Sequence, residues 1–251
     1  MTLLEALAIC AAGVGAGAIN AVVGSGSLIT FPTLVAVGID PIVANVSNNI
    51  GLVPGSFTGA YGYRAELKGQ RDRLVRLGMG SLLGSLCGGL LLIVLPPGVF
   101  KVVVPVLIAV ACVLVVIQPR LNGWLAARRE HAHPDGGIGL WIGVFGAGVY
   151  GGYFGAAQGV LLIGLLGAVL ADDLQRINAA KNVLSLIVNG TAAVLFTLIT
   201  DVDWWAVLLV AVGATLGGWL GAKVGRRIPS PVLRGVIVCV GVLAIIKLVF
   251  G

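Results

Sequence analysis

The chain has 251 residues, 58% of them hydrophobic and 10% charged, with a mean hydropathy of +1.06 and a formal net charge of +6. A soluble domain carries about 25% charged residues because a solvated surface needs them, and 26 charged side chains cannot cover a protein of 25.5 kDa. So much Leu, Val and Ile also excludes an intrinsically disordered chain or a collagen-like rod.

A membrane-crossing helix needs about 20 apolar residues. In chain order, full spans are expected at 4–23, 42–63, 74–95, 99–118, 138–157, 178–199, 204–225 and 232–250. The opening MTLLEALAIC has no basic stretch before its apolar run, so residues 1–24 read as a retained first helix rather than a cleaved signal. Two further apolar runs, 27–38 and 160–171, are short for a crossing. Each follows a glycine-rich break, Gly24-Ser25-Gly26 and Gly155-Ala156-Ala157-Gln158-Gly159. They read either as re-entrant pieces or as thin crossing elements.

Loop charges orient the chain, since cytoplasmic loops concentrate Lys and Arg. Arg64, Lys68, Arg71, Arg73 and Arg76 crowd one loop, and Arg120, Arg128 and Arg129 lie in the segment 119–137. The loop 200–204 holds Asp201 and Asp203 and no basic residue. Placing the first two inside and the third outside requires 160–171 to cross in effect. Ten crossing elements result, with 14 of the 16 Lys and Arg inside and only Lys101 and Lys247 outside. The net positive charge is then a transmembrane asymmetry and implies no nucleic-acid partner.

A shift of 133 residues superposes the two halves of the chain. It matches Gly26 with Gly159, Asp40 with Asp173, Asn45 with Asn178, Asn49 with Asn182, Gly84 with Gly217, and Pro96 with Pro229. Paired Asn, Asp and Pro at one offset are informative where paired Leu or Val would not be. The basic loop 64–76 falls on the acidic 197–209, so equivalent loops face opposite sides. The expected fold is therefore all-α and polytopic. It has two inverted repeats of about five membrane segments, each containing one short or broken helix. The first repeat spans 1–118, a cytoplasmic linker 119–137, and the second repeat 138–251. Inverted repeats with interrupted helices characterise secondary transporters.

The breaks and the segments after them hold the candidate substrate-binding residues. A break that opens a short helix presents backbone N–H groups at a positive dipole end, suited to an anion. This singles out Gly24, Ser25, Gly26 and Ser27 in the first half, and Gly155, Gln158 and Gly159 in the second. Asn45 and Asn49 are one helical turn apart, as are Asn178 and Asn182, so each pair shares a face. Such amides must point into the bundle, where they either line a pathway or hydrogen-bond between helices. Asn48 in the first motif is replaced by Lys181 in the second. An ammonium inside a membrane helix is costly and typically functional; the alternative is that it snorkels to the cytoplasmic face beside Asp172, Asp173 and Arg176.

The remaining features are blander. Cys10, Cys87, Cys112 and Cys239 lie singly in apolar runs and read as small buried hydrophobes. His131 and His133 read as residues of a solvated loop. Trp204 and Trp205 read as interfacial anchors, and the series Gly80, Gly84, Gly88 and Gly213, Gly217, Gly221 as close-packing helix faces. No Ser–His, Cys–His or His–Glu arrangement lies inside the membrane, so no enzyme, catalytic residue, metal or cofactor is expected.

The glycine-rich break leading to Phe31-Pro32, the segment Ala44-Asn45-Val46-Ser47, the basic loop and the Gly84/Gly88 helix together resemble the sulfite exporter TauE/SafE family. The resemblance covers essentially the whole chain. Ser25 and Gln158 depart from the family's fuller glycine run, and the second copy lacks the proline after its short helix. The resemblance implies a permease of the inner (cytoplasmic) membrane that transports a small anion such as sulfite, a sulfonate or a related organosulfur compound, and an inside-negative potential makes export the expected direction. The partners implied are that anion and the lipid bilayer, and a homo-oligomer is compatible with the chain. Two other readings stand beside it, an accessory or structural membrane subunit and an anion channel without alternating access.

Overall fold

A computed structural model describes residues 1–127, 136–170, 172–224 and 230–250. The described residues form ten α-helices and no strand. They are α1 (Leu3–Val22), α2 (Ser27–Ala36), α3 (Pro41–Gly62), α4 (Arg71–Val94), α5 (Pro97–Ala127), α6 (Gly137–Tyr153), α7 (Gln158–Val169), α8 (Leu174–Ile199), α9 (Trp204–Val224) and α10 (Ser230–Phe250). Local chemistry explains several boundaries. Thr2 and Glu5 form a capping box ahead of α1. The Asp40 and Asp173 carboxylates accept the backbone N–H groups of Ile42 and Gln175, starting α3 and α8 in the same way.

Five helices are long and apolar enough to cross a membrane: α1, α4, the first part of α5 (Pro97–Arg120), α8 and α9. Among the other expected full spans, α3 has the length, but buried Asn45, Ser47, Asn48, Asn49 and Ser56 lower its apolar content. Helix α6 stops at Tyr153, short of the expected 157, because Gly155 and Ala157 take positive φ. Helices α2 and α7 have 10 and 12 residues. At about 1.5 Å per residue each covers little more than half of a ~30 Å hydrocarbon core. Helix α5 continues through Pro119 to Ala127, so the start of the expected linker is helical. His131 and His133, with Arg128, Arg129, Arg226 and Arg227, lie outside the described residues.

Helix α1 packs along α9, and α4 along α6. Both seams depend on glycine: a Cβ on Gly17 would lie 2.8 Å from Ala214 Cα, and one on Gly88 2.8 Å from the Tyr153 backbone nitrogen. Gly84 and Gly217 likewise face backbone of the opposing helix, so the spaced glycines act as small-residue contacts that let backbones approach. Helix α3 packs against both α8 and α9. The short helices are held alike, α2 against α1, α3 and α10, and α7 against α6, α8 and α5.

Exposed and buried residues are distributed as a bilayer requires. The surface carries large apolar side chains, including Leu4, Val102, Val106, Val110, Val113, Ile142, Leu198 and Leu208, while the interior holds Asn and Lys. Trp204 and Trp205 are exposed at the start of α9. Cys112 is buried, but Cys87 and Cys239 are exposed on the apolar exterior. They need no burial there because lipid is as apolar as a core.

At the basic end of the bundle, a polar clasp joins the loop before α4 to the start of α8. Asp172 accepts from Arg73 at 2.5 Å and from Arg176 at 2.7 Å. Gln70 donates to the Arg176 carbonyl, and Arg176 to the Lys68 carbonyl. Burial pushes the Asp172 carboxyl upward, but the two arginines outweigh it and hold the group below its ordinary value of 3.8.

Candidate functional site

The two glycine-rich breaks meet inside the bundle. Helix α1 ends where Gly24 turns to φ +84°, and α6 ends where Gly155 turns to φ +78°. Ala157 follows at φ +57°, a left-handed conformation unusual for a residue with a side chain. The Gly159 N–H donates to the Gly24 carbonyl at 3.0 Å. A Cβ on Gly24 would overlap the Gly159 backbone, and one on Gly159 would lie 2.9 Å from the Gly24 oxygen and 2.9 Å from Lys181 Cδ. Only glycine at both positions permits this contact between segments more than 130 residues apart.

Helices α3 and α8 supply the polar lining. The first five-residue stretch of candidates lies along α3, with Asn45, Asn48 and Asn49 all buried; its counterpart on α8 has Asn178, Lys181 and Asn182 buried. Lys181 has no exposed surface. Its ammonium donates to the carbonyls of Asn20 at 2.8 Å and Ala21 at 3.4 Å. Asn178 and Asn182 donate to the same Ala21 carbonyl at 3.1 and 3.2 Å. Asn45 makes the corresponding bond to the Tyr153 carbonyl at 3.0 Å. Side chains of α8 and α3 thus satisfy carbonyls that α1 and α6 leave unpaired at their ends. Asp172 is engaged by Arg73 and Arg176 instead, so Lys181 does not reach toward it.

Several buried polar atoms at the breaks have no partner within the protein. They are Ser25 Oγ, Asn48 Nδ2, both side-chain polar atoms of Asn49, Gln158 Nε2, Asn45 Oδ1 and Asn178 Oδ1. Native interiors leave few such groups, and four of the residues (Ser25, Asn48, Asn49 and Gln158) offer donors. Asn49 lies beside Gly155, where a Cβ would sit 3.6 Å from Asn49 Oδ1. Phe31, Phe100, Tyr153 and Phe154 form an adjoining apolar wall, with Phe31 and Phe154 edge-to-face at 5.1 Å.

The expected backbone cradle is only partly available. At α7 the N–H groups of Gln158, Gly159 and Val160 go to the carbonyls of Gly155, Gly24 and Ala157. The Gln158 side-chain amide nitrogen is a donor left without a partner there. Gly26 faces α1, since a Cβ on it would meet the Ala16 backbone, and Ser27 is buried as the first residue of α2. Sequence reasoning passed over Asn20, Thr30, Tyr150, Ser56 and Asn189. Thr30 donates to Asn48 and Tyr150 to the Ala156 carbonyl. Asn189 donates to Ser56 Oγ at 3.1 Å, and Asn20 approaches the same hydroxyl at 3.5 Å. Asn20 and Asn189 carried a usable signal, being amides within apolar helices.

Comparison with known proteins gives matches over nearly the whole chain. The family model for the sulfite exporter TauE/SafE matches residues 9–248. The chain is 27% identical over 241 residues to the "probable membrane transporter protein YfcA" of Escherichia coli (strain K12), covering 94% of this chain and 86% of that protein. It is 27% identical over 233 residues to a "probable membrane transporter protein" of Haemophilus influenzae, covering 92% and 89%. A "probable membrane transporter protein ORF9" of Sinorhizobium sp. is 22% identical over 233 residues, covering 93% and 88%. No solved structure matches the chain. An apolar exterior, a polar interior and a family match over nearly the whole length lead to one conclusion: the chain is a membrane transporter and belongs to the sulfite exporter TauE/SafE family.

Proposed function

We propose that the protein is a secondary transporter exporting a small anion across the cytoplasmic membrane, with sulfite, a sulfonate or a related organosulfur oxyanion as substrate. The observation that carries this reading is a buried ammonium beside the crossing breaks, with no carboxylate partner among the described residues. A buried charge without a counter-ion is expensive, and an arriving anion relieves that cost. Lys181 has three donors, two of them directed at carbonyls. The substrate's oxygens would take the third, together with Ser25, Asn48, Asn49 and Gln158. Asn45, Asn178 and Asn182 hold the helix ends in place around them. Gly24, Gly26, Gly155 and Gly159 permit the close approach, and Ser27 opens α2.

The two membrane repeats, 1–118 and 138–251 joined by a cytoplasmic linker, would be inverted and exchange access between the two faces. Support comes from the way the 133-residue shift interchanges helix pairs: it carries α1 onto α6 and α4 onto α9, and α1 packs on α9 as α4 packs on α6. Asn189 and Ser56 are themselves related by that shift and hydrogen-bond to each other, as residues beside a local two-fold axis would. Outward movement follows the membrane potential, since an inside-negative potential favours expulsion of one negative charge by about 2.3 kcal/mol per 100 mV.

The test is flux of labelled sulfite, thiosulfate and an alkyl sulfonate in proteoliposomes. Saturable flux of at least one anion is expected, with a loss of tenfold or more in Lys181→Ala and partial recovery in Lys181→Arg. Wild-type vesicles that move none of the three anions would overturn the substrate class.

A further inference from the structure

We propose that the groove between α4 and α8 is a binding site for an anionic glycerophospholipid, with one acyl chain in the groove and the phosphate at Arg71. The groove has a volume of about 520 Å³ and is walled by Leu74, Val75, Gly78, Met79 and Leu82 of α4 and by Val183 and Ile187 of α8. This volume lies in the range of small-ligand sites, and the walls are almost wholly apolar.

Length and charge select the occupant. The α4 residues of the groove recur along one helix face from Arg71 to Leu82, which at about 1.5 Å per residue is roughly 16 Å. That is half of a ~30 Å hydrocarbon core, the depth of one leaflet. Arg71 closes the groove at the basic end of the bundle, and Lys68 is next in the chain to Leu67, which also lines it. Arg71 is exposed and has no carboxylate partner among the described residues, whereas neighbouring Arg73 is held by Asp172. A cation in the first turn of a helix is opposed by the helix dipole, so Arg71 does not serve α4's own stability. Basic groups at the cytoplasmic end of grooves between membrane helices are suited to lipid phosphates. Gly78 deepens the groove: a Cβ there would already come within 3.0 Å of the Ile187 side-chain tip.

The experiment uses the full chain purified in detergent and measures thermal unfolding with added phosphatidylglycerol, phosphatidylcholine or inorganic phosphate. Native mass spectrometry counts the lipid retained. Phosphatidylglycerol is expected to raise Tm more than phosphatidylcholine does, and inorganic phosphate is expected to do nothing. Arg71→Gln, a surface change, should weaken phosphatidylglycerol retention about five-fold, and the phosphatidylcholine response should stay as it was. Gly78→Leu, which fills the groove against a flexible side chain, should abolish the preference at an unchanged lipid-free Tm. Equal responses to both lipids in the wild type, or an undiminished preference in Arg71→Gln, would overturn the assignment. So would a lipid-free dimer that Gly78→Leu dissociates, because the groove would then hold a second copy.

Discussion

Gly24 and Gly38 separate two reasons for needing glycine. Both have positive φ, at +84° and +93°, but a side chain at Gly38 would meet open space while one at Gly24 would strike the Gly159 backbone. Gly38→Ala should therefore cost about 1 kcal/mol of backbone strain and leave transport intact. Gly24→Ala adds an overpacking cost of typically ~1–3 kcal/mol and displaces the second break, so anion flux should be lost as well. Melting temperature and proteoliposome flux, measured on both variants, check this; equal behaviour would show that close approach is unimportant. The asparagines illustrate how far residue-level reading reaches. Their spacing placed Asn45 with Asn49 and Asn178 with Asn182 on common faces, and all four are buried. That Asn178, Lys181 and Asn182 converge on the carbonyl of Ala21 was not legible, because it depends on where α1 stops relative to a helix more than 150 residues later.

Among the helices, the clasp at Asp172 makes a pH-dependent contribution. A carboxyl held below its ordinary value in the folded protein stabilises it above that value, and the stabilisation is lost as pH falls through the lowered folded value. The wild type should therefore melt several degrees above Asp172→Asn at every pH well above 3.8, with the gap closing as the pH falls below it. Thermal scans between pH 3 and 8 decide this; a gap that persists undiminished at the lowest pH would remove the carboxylate from the explanation. At the α4–α6 seam, Gly88→Leu should lower Tm more than Gly190→Leu. A side chain at Gly88 meets Val149 and Tyr153 backbone, while none of the surrounding atoms lies within 4 Å of a Cβ at Gly190. Helix positions were the most legible feature of this chain, since apolar runs and Pro or Gly punctuation are local. The expected end of α6 lies four residues beyond the observed one, because the chain already turns to positive φ at Gly155 and the apolar run on either side of that glycine does not mark where the turn falls.

For the whole molecule, opposed orientation of the two repeats has a direct test. In a cysteine-free background, Lys68→Cys and Asp201→Cys should react with an impermeant thiol reagent from opposite sides of the membrane, with Lys68→Cys labelled from the cytoplasm. Labelling from the same side would remove the inverted arrangement and with it the symmetry argument for alternating access. The apolar composition of this sequence determined that it belongs in a bilayer, its apolar runs determined where the helices lie, and its 133-residue shift related one half to the other. Those properties are carried by neighbouring residues or by comparing the sequence with itself. Only the tertiary structure decided that the breaks cross at Gly24 and Gly159, that Lys181 points at helix-end carbonyls rather than at Asp172, and that α4 and α8 enclose a groove ending at Arg71. Each is a contact between distant segments, set by how closely whole helices approach, and no local pattern of residue types specifies that distance.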